Sequence, residues 1–252
     1  MNISGNTILI TGGGSGIGRG LAEALHAEGN QVIIAGRRQS VLDETVKANP
    51  GMKSVTLDIE DAAGLPAFAE KLVAEFPMLN AVILNAGIMR AENLSEAAHL
   101  ADAEAIINTN LLGPIRLLAV LLPHFLKQPQ ATVATVSSGL AFVPLAPTPT
   151  YNATKAAIHS YTQSLRYQLR KTTVEVLEII PPYVQTELMG GAEDPRAMPL
   201  KEFIAETIQI LKQQPTPAEI SVDRVKPLRY AAESGHYDQV FHGLNEAMAG
   251  SH

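Results

Sequence analysis

The amino-acid sequence predicts one α/β domain in which a doubly wound parallel sheet of six to seven strands is flanked by helices. Short apolar runs rich in β-branched residues recur along the chain, and longer segments with helical spacing separate them. Strands that alternate with helices are joined by right-handed crossovers and form a parallel sheet. No linker rich in proline, glycine or serine interrupts this pattern. We therefore interpret residues 1–252 as a single domain.

The strands are predicted from runs whose continuous apolar character is typical of burial on both faces of a sheet. They are Thr7–Ile10, Gln31–Ala35, Lys53–Leu57, Ala81–Leu84, Thr132–Val136 and Val174–Ile180. The helices are predicted from apolar residues that recur every three to four positions. They are Gly18–Glu28, Ser40–Ala48, Asp61–Glu75, Ser95–Leu122, Tyr151–Leu169 and Lys201–Gln213. In such a sheet the ligand crevice lies at the carboxyl ends of the strands, where the strand order reverses.

The regular pattern weakens after Pro181. The stretch Glu187–Met198 contains glycines and a proline without a clear period, which is typical of a mobile segment. Glu219–Val225 is a candidate seventh strand, and the tail from Pro227 is interpreted as helix or loop.

The composition of the chain excludes several classes of protein. It has 25 acidic and 19 basic residues, a net charge of −6 and no cysteine. Binding to nucleic acid or to an anionic membrane requires a basic face, and disulfides, thiolate zinc sites and thiol catalysis all require cysteine.

The first residues show no signal-peptide pattern, and apolar stretches such as Ile115–Leu122 are shorter than a membrane span. We expect a cytoplasmic protein whose partner is a small molecule or another subunit.

A glycine-rich turn follows the first predicted strand directly. Its sequence, TGGGSGIG at 11–18, leads into the first helix. Glycine lets backbone amides approach a pyrophosphate closely, and the helix N-terminus adds partial positive charge. The spacing differs from G-x-G-x-x-G, and a flexible loop is the alternative interpretation. The candidate cofactor-binding residues here are Gly12, Ser15, Gly16, Ile17 and Gly18.

Two arginines follow the second predicted strand, near the expected position of an adenosine ribose. Guanidinium groups can bind a 2′-phosphate bidentately, whereas an NAD site favours a carboxylate for the 2′-hydroxyl. Arg37 and Arg38 therefore predict NADP(H), with two solvated arginines at a helix start as the alternative. After the third strand, Asp58 and its neighbour Ile59 are candidates for the adenine site, although an aspartate there is also typical of a helix cap.

The candidate catalytic residues surround the end of the fifth strand and the start of the helix that follows it. Tyr151 and Lys155 are four positions apart, which places both on one helix face. A neighbouring ammonium is expected to lower the pKa of the Tyr151 phenol, so that it can exchange protons near neutral pH. Ser138 can hydrogen-bond a substrate carbonyl oxygen beside Tyr151. The Tyr–Lys spacing alone also fits a surface pair on an amphipathic helix.

Several motifs then occur together in one order. They are TGGGSGIG at 11–18, NAG at 85–87, Asn110, Ser138 and YNATK at 151–155. With these motifs, residues 7–186 resemble the short-chain dehydrogenase/reductase family. The resemblance implies a Rossmann-like fold, a nicotinamide cofactor, and hydride transfer at a carbonyl or carbinol carbon. Residues 1–130 are then expected mainly to bind the cofactor, and residues 131–252 to carry catalysis and substrate binding. An arginine at position 37 usually accompanies NADP(H) in this branch of the family.

The resemblance also implies roles for individual residues. Tyr151 is the general acid and base, Ser138 orients the substrate oxygen, and Lys155 binds the nicotinamide ribose and tunes Tyr151. Asn110 holds a water molecule in a proton relay. Further cofactor contacts are implied at Asn85, Ala86, Gly87, Pro181, Val184 and Thr186.

Within the family, the stretch IIPPYVQTEL at 179–188 resembles oxidoreductases of the DltE type, a label that names no substrate. Many relatives have Pro-Gly after the sixth strand, where this chain has Pro181-Pro182-Tyr183. Because proline has no backbone donor, we expect Val184 and Thr186 to bind the nicotinamide carboxamide instead.

The substrate pocket is predicted from the loop after the fifth strand and the segment after the sixth. Apolar residues in these segments suit a small or medium hydrophobic carbonyl or alcohol. They are Leu140, Phe142, Tyr183, Leu188 and Met189. Arg90 is a candidate for binding a substrate carboxylate, with a solvated arginine as the alternative. No metal site is predicted, because His124 and His159 have no partner at ligand spacing.

The helices predicted at 95–122 and 151–170 carry apolar residues on more than one face, and such helices need a further burial partner. The resemblance implies a homodimer or homotetramer in which these helices meet.

A dinucleotide-binding sensor or scaffold without turnover is the alternative to an enzyme, but it does not need Ser138, Tyr151 and Lys155 together. Epimerase or dehydratase chemistry on a nucleotide sugar generally goes with a longer C-terminal substrate domain.

Overall fold

A computed structural model describes residues 1–96, 100–189 and 194–249, and its seven strands form one parallel sheet. The strands are β1 (Thr7–Thr11), β2 (Gln31–Gly36), β3 (Lys53–Thr56), β4 (Leu79–Leu84), β5 (Ala131–Val136), β6 (Val174–Ile180) and β7 (Glu219–Ser221). Their order in the sheet is β3-β2-β1-β4-β5-β6-β7. The order reverses between β1 and β4, and the predicted doubly wound sheet is confirmed.

Helices cover both faces of this sheet. They are α1 (Gly16–Ala27), α2 (Gln39–Ala48), α3 (Leu65–Glu75), α4 (Leu100–Ile107), α5 (Gly113–Phe125), α6 (Pro149–Leu169), α7 (Leu200–Leu211), α8 (Lys226–Arg229) and α9 (Tyr237–Ala249). The buried residues of α1, α2 and α7 share one core, and those of α3, α5 and α6 share the other. This division follows from right-handed crossovers on either side of the strand reversal.

The strands contribute alternately to the two cores. In β1, Ile8 and Ile10 belong to the core beneath α1 and α7, whereas Leu9 belongs to the core beneath α3 and α5. Successive side chains of a strand point to opposite faces, so a strand covered on both sides is apolar throughout. Phe203 of α7 and Phe125 of α5 are fully buried, one in each core. The central strands are therefore packed between two apolar layers.

Two predicted strands differ from the structure because they lie at the edges of the sheet. Lys53–Leu57 is predicted to be buried on both faces, but β3 pairs only with β2 and its residues are partly or fully exposed. The candidate seventh strand, Glu219–Val225, ends at Ser221, and a 3-10 turn over Asp223–Val225 leads into α8. An edge strand has one neighbour and needs less apolar sequence than a central one.

The long helix predicted over Ser95–Leu122 is divided in the structure. Residues 97–99 lie outside the described part of the chain, α4 begins at Leu100, and a π-turn over Asn108–Leu112 separates it from α5. Within the described residues, Leu100–Phe125 is long and apolar enough to cross a membrane by length and composition, and 44% of its most apolar window is buried inside the protein. The apolar face of α5 packs against the sheet.

Part of the segment predicted to be mobile is ordered around the site. Glu187–Met189 forms a 3-10 turn, and Met198 pairs with Val184 in a short parallel bridge. Residues 190–193, which carry both glycines of that segment, lie outside the described residues. The bridge keeps the chain after β6 close to the carboxyl edge of the sheet.

Candidate active site

A cavity of about 740 Å³ is lined by residues that follow β1, β4, β5 and β6. The predicted site residues in its lining are Gly12, Ser15, Gly16, Ile17, Gly18, Arg38, Asn85, Ala86, Gly87, Ser138, Leu140, Tyr151, Lys155, Pro181, Tyr183, Val184, Thr186 and Leu188. Arg37, Asp58, Ile59, Asn110 and Phe142 lie outside this lining, and the side chain of Met189 is outside the described residues. The cavity therefore coincides with the crevice expected at the reversal of strand order.

The glycine turn forms the end of the cavity next to β1. Gly12 has a φ of +66° and Gly16 a φ of +51°, a region that favours glycine. A Cβ on Gly18 would lie 2.2 Å from the carbonyl oxygen of Gly12 and 2.5 Å from Nδ2 of Asn85. The first residues of α1 line the cavity, and the first amides of a helix have no partner within it. Close backbone approach and unpaired amides are what the pyrophosphate of a dinucleotide needs.

A hydrogen-bonded brace joins the ends of β1 and β4 beneath this turn. The Oγ1 of Thr11 accepts from the backbone amides of Asn85 and Ala86, both at 3.0 Å. The Nδ2 of Asn85 donates to the carbonyl oxygen of Thr11 at 2.9 Å. The sequence analysis assigns no role to Thr11. Its position as the first residue of the glycine turn is the feature from which such a role could have been predicted. The brace holds the segment from Asn85 to Gly87 against the cavity.

The two arginines after β2 occupy different positions. Arg38 lines the cavity, and in the described part of the chain no carboxylate pairs with its guanidinium. Arg37 is largely exposed, and its Nη1 lies 3.4 Å from Oε1 of Glu60. Asp58 is exposed and accepts from the amide of Glu60 at 3.0 Å, whereas Ile59 is buried. The end of β2 therefore presents positive charge to the cavity.

Ser138, Tyr151 and Lys155 are all buried and all line the cavity. The Nζ of Lys155 lies 5.6 Å from the centroid of the Tyr151 ring and donates to the carbonyl oxygen of Val136 at 2.8 Å. The Oγ of Ser138 accepts from the amide of Leu140 at 3.1 Å, and Ser138 also hydrogen-bonds Tyr151. The structure thus brings the three predicted catalytic side chains together.

Glu92, which sequence reasoning missed, fixes the start of the helix that carries two of these residues. Its carboxylate accepts from the amide of Thr150 at 3.0 Å and from the hydroxyl of Thr150 at 2.6 Å. A carboxylate at a helix N-terminus satisfies free amides and is favoured by the helix dipole. The first turn of α6, and with it Tyr151, is therefore anchored to the chain after β4.

The pKa values of Tyr151 and Lys155 are governed by burial. Burial raises the pKa of Tyr151 to about 12, and the hydrogen bond with Ser138 only partly offsets this effect. Burial also lowers the pKa of Lys155 to about 8, against the attraction of the Glu178 carboxylate. The prediction that Lys155 brings the pKa of Tyr151 toward neutrality is wrong here, because burial removes the solvation of a phenolate and Lys155 does not lower this pKa. Tyr151 is therefore held protonated, the state of a proton donor.

Asn110 lies on the π-turn, outside the cavity lining but tied to two of its walls. Its Nδ2 donates to the carbonyl oxygen of Ile88, and its Oδ1 accepts from the amide of Ile88, both at 2.8 Å. The same Nδ2 lies 3.4 Å from Oγ1 of Thr154, whose hydroxyl donates to the carbonyl oxygen of Tyr151 at 2.7 Å. π-turns within helices often mark functional positions. Asn110 connects the chain after β4 to the backbone of Tyr151.

The chain after β6 crosses the cavity at the double proline. The carbonyl oxygen of Pro181 accepts from the amide of Gly139 at 2.9 Å. Pro182, which has no backbone amide donor, lines the cavity. Val184 and Thr186, which are expected to bind the nicotinamide carboxamide instead, line it as well. Arg90 also lines the cavity, and its guanidinium pairs with the carboxylate of Asp102.

The lining of the cavity agrees only in part with the predicted substrate pocket, and it includes residues that were not predicted. Among the predicted residues, Phe142 packs its ring edge-on against His159, with centroids 4.6 Å apart, and does not line the cavity. Three apolar side chains from the C-terminal helices line it as well. They are Leu228, Leu244 and Met248. No sequence pattern indicates that the end of the chain returns to the carboxyl edge of the sheet.

Polar contacts hold α9 over the loop after β5. The Oδ1 of Asn245 accepts from the amide of Ala146 at 2.7 Å, and its Nδ2 donates to the carbonyl oxygen of Pro144 at 3.1 Å. The Nη1 of Arg196 donates to the carbonyl oxygen of Ala247 at 3.0 Å. These bonds make α9 a wall of the cavity.

His159 lies beside two carboxylates that are distant in sequence. Its Nδ1 is 3.0 and 2.9 Å from the two carboxylate oxygens of Glu178, and one ligand atom each of His159, Glu178 and Glu219 lies within 4.8 Å of the others. Arg229 donates to both carboxylate oxygens of Glu219, at 2.7 and 3.1 Å. Since a guanidinium already pairs with Glu219, we describe this cluster as an ion-pair network rather than a metal centre.

Comparison with known proteins agrees with the fold and the motifs. The family described as short chain dehydrogenase matches residues 6–197. The chain is 38% identical over 252 residues to the uncharacterized oxidoreductase DltE of Bacillus subtilis, covering 97% of this chain and 98% of that protein. A short chain dehydrogenase from Burkholderia cenocepacia in complex with NADP is 24% identical, with a TM-score of 0.81 over 97% of this chain and 99% of that one. A short chain dehydrogenase/reductase from Burkholderia phymatum in complex with NAD is 20% identical, with a TM-score of 0.79 over 94% and 96%. The chain therefore belongs to the short-chain dehydrogenase/reductase family of oxidoreductases.

Proposed function

We propose that the protein transfers hydride between NADP(H) and a small or medium carbonyl or alcohol substrate. The observation that carries this proposal is the joint burial of Ser138, Tyr151 and Lys155 on the cavity that also contains the glycine turn. A protein that only binds a dinucleotide needs the turn but not the three buried polar side chains. Burying polar groups costs free energy, so their presence supports turnover. Titration of the protein with NADPH, followed by cofactor fluorescence, tests the binding half of the proposal.

The residues of the cavity fit a phosphorylated dinucleotide. The glycine turn, in which a side chain at Gly18 would collide with backbone, would hold the pyrophosphate. Arg38, which lines the cavity, and its neighbour Arg37, which lies outside the lining beside Glu60, would hold the 2′-phosphate, and Lys155 would hold the nicotinamide ribose. When bound, the reduced nicotinamide supplies the hydride.

In this proposal the protein holds the carbonyl oxygen and gives it a proton. The Oγ of Ser138 accepts from the Leu140 amide, and its hydroxyl proton, which can hydrogen-bond Tyr151, would turn to the substrate oxygen. The Tyr151 hydroxyl donates its proton to that oxygen as hydride adds to the carbonyl carbon. The Lys155 ammonium stabilises the tyrosinate that remains. Asn110 holds the water molecule through which the proton is returned.

The rate of carbonyl reduction is expected to fall as pH rises through about 8. The pKa of Lys155 is lowered by burial to about 8, so its ammonium is present below that pH and lost above it. The pKa of Tyr151, raised by burial to about 12, keeps this residue protonated over the same range. The pH profile of kcat/KM with NADPH measures this. A profile that stays flat well above the pKa of Lys155 would contradict the role of its charge.

Replacing Arg37 and Arg38 together with alanine is expected to weaken NADPH binding by roughly tenfold to a hundredfold, the range of a charge-assisted hydrogen-bonded pair. NADH lacks the 2′-phosphate, so its affinity is expected to change little. Fluorescence titration with both cofactors measures the two affinities. Equal losses for NADPH and NADH would show that the arginines do not contact the 2′-phosphate.

A matched control for this double variant is Lys47→Ala. Lys47 lies near the end of α2, is exposed, and does not line the cavity. Its replacement removes a positive charge from the helix that follows the arginines. NADPH affinity is expected to stay at the wild-type value, which would separate a direct contact from a general loss of positive charge.

The protein is further expected to be a cytoplasmic homodimer or homotetramer. Exposed large apolar side chains include Ile107 of α4, Leu126 after α5 and Tyr167 of α6, at 38, 44 and 67% exposure. Exposed apolar side chains on adjacent helices are typical of an association surface. Light scattering at micromolar concentration measures the mass in solution. A monomer would contradict this expectation.

A further inference from the structure

One face of α6 packs against the sheet through polar side chains. Lys155, His159, Thr162 and Arg166 recur at i, i+4, i+7 and i+11, on one side of the helix. Lys155 and Arg166 donate to backbone carbonyls of β5 and β6, and Thr162 hydrogen-bonds a threonine of β5. His159 instead hydrogen-bonds a carboxylate, that of Glu178 in β6. This polar face runs from the catalytic end of α6 into the interior of the protein.

Glu178 is a fully buried carboxylate in β6, the strand next to the edge strand β7, with 0% of its surface exposed. In the strand register it lies beside Thr135 of β5 and Glu219 of β7. Neighbouring residues in register point to the same face, which here is the face covered by α6. Burying a charged group costs free energy even where it is hydrogen-bonded, and apolar residues of similar volume avoid this cost. Packing alone therefore does not account for a carboxylate at this position.

The catalytic lysine lies close to Glu178 in the fold. The Nζ of Lys155 is held by the carbonyl oxygen of Val136, and Val136 pairs in register with Ile179, the residue after Glu178. Lys155 also precedes His159, the hydrogen-bond partner of Glu178, by one helical turn. The negative charge of Glu178 favours the charged form of Lys155 and so opposes the lowering of its pKa by burial.

Other charged groups face Glu178 from the elements packed on it. His159 and Arg166 approach from α6, Glu219 from β7, and Arg229 from α8. The charge of Glu219 is matched locally, because Arg229 donates to both of its carboxylate oxygens. Glu178 is therefore the carboxylate of this cluster whose charge acts on the catalytic lysine.

We propose that Glu178 is a positioning residue that acts through Lys155: its buried carboxylate, held by His159, keeps the Lys155 ammonium charged beside Tyr151. The consequence for turnover rests on the proposed function, whereas the effect on the charge of Lys155 does not. Loss of this carboxylate removes the attraction and leaves the burial of Lys155 unchanged.

The direct test is an NMR titration of Lys155 in the full-length protein labelled with ¹³C at the lysine ε-carbons, without added cofactor. The Lys155 resonance is assigned by its loss in Lys155→Arg. Glu178→Gln keeps the shape and removes the charge, and it is expected to lower the titration midpoint of Lys155 by about one pH unit, as loss of a nearby opposite charge does. An unchanged midpoint in a folded Glu178→Gln protein would overturn the proposal.

Glu219→Gln is the matched control, since it makes the same substitution at the neighbouring position of β7. Its charge is already paired with Arg229, so the midpoint of Lys155 is expected to stay at the wild-type value. A shift as large as that of Glu178→Gln would overturn the assignment to Glu178. If Glu178→Gln does not fold, Glu178→Asp is the second variant. It keeps the charge but shortens the side chain by one methylene group, and it is expected to lower the titration midpoint of Lys155 by a smaller amount. No shift in that variant would likewise overturn the proposal.

The pH profile of kcat/KM separates this proposal from the proposed function. In Glu178→Gln the fall in carbonyl reduction at high pH is expected to begin about one pH unit lower than in the wild type. If the wild-type protein reduces no carbonyl, the proposed function fails and the NMR titration still decides the role of Glu178. If the wild type turns over and neither its pH profile nor the Lys155 midpoint responds to Glu178→Gln, only the further inference fails.

Discussion

Replacing Tyr151 with phenylalanine is expected to lower kcat for carbonyl reduction by about a thousandfold, within the range of a lost general acid. The ring beside Lys155 remains, and the variant removes only the hydroxyl that we propose gives the proton. The pKa of that hydroxyl, raised by burial to about 12, makes it a proton donor throughout the neutral range. NADPH affinity is expected to stay within a few-fold of the wild-type value. Steady-state kinetics and fluorescence titration on the same preparation measure both quantities.

Tyr161→Phe is the matched control for this variant. Tyr161 lies on the same helix, is partly buried, and packs against the core rather than lining the cavity. Removing its hydroxyl is expected to leave kcat unchanged. Equal losses in the two variants would indicate a general effect of hydroxyl removal from α6. Substantial turnover in a folded Tyr151→Phe protein would remove Tyr151 from its assigned role.

Replacing Gly18 with alanine is expected to weaken NADPH binding by roughly tenfold to a hundredfold, or about 1.4–2.8 kcal/mol. The added Cβ would lie 2.2 Å from the carbonyl oxygen of Gly12 and 2.5 Å from Nδ2 of Asn85. The first contact is with backbone, so the turn itself must move away from the conformation that we propose holds a pyrophosphate. Forcing an extra carbon into a packed site also destabilises a protein by about 1–3 kcal/mol. Fluorescence titration and thermal unfolding measure the two effects.

The control for the glycine replacement is Gly243→Ala in α9. A Cβ at Gly243 meets nothing within 4 Å, and its position in a helix favours alanine. The stability of this variant is expected to be unchanged or higher by up to about 1 kcal/mol, with normal NADPH binding. Unaltered NADPH affinity in Gly18→Ala would contradict the role given to the turn.

The central strands of the fold could be predicted because burial on both faces leaves a continuous apolar signal. β6 was predicted with its observed limits, Val174–Ile180. This apolar pattern is weaker in an edge strand, which has only one neighbouring strand. The limits of β3 were therefore predicted less well, and the observed strand is shorter than the predicted one. The π-turn at Asn108–Leu112 was not predicted, because apolar residues continue through the sequence on both sides of it.

The glycine turn of the candidate site could be predicted to a greater extent than the apolar part of the cavity lining. Gly12 and Gly18 lie in a turn whose conformation demands glycine, so the glycines in the sequence indicate that conformation. Leu244 and Met248 reach the cavity from α9 through tertiary packing, and nothing local in their sequence indicates this. The pKa of Tyr151 also depends on burial, which the spacing of Tyr151 and Lys155 does not contain.

The most direct test of the proposed function is the oxidation of NADPH, followed by absorbance, with a panel of aliphatic and aromatic ketones and aldehydes. NADH is measured in parallel, and Tyr151→Phe is measured beside the wild type. We expect the wild-type protein to oxidise NADPH with at least one of these carbonyls, faster than it oxidises NADH, and we expect Tyr151→Phe to lose this activity. Tight NADPH binding without oxidation by any carbonyl in the panel would contradict the proposed reductase and favour a dinucleotide sensor.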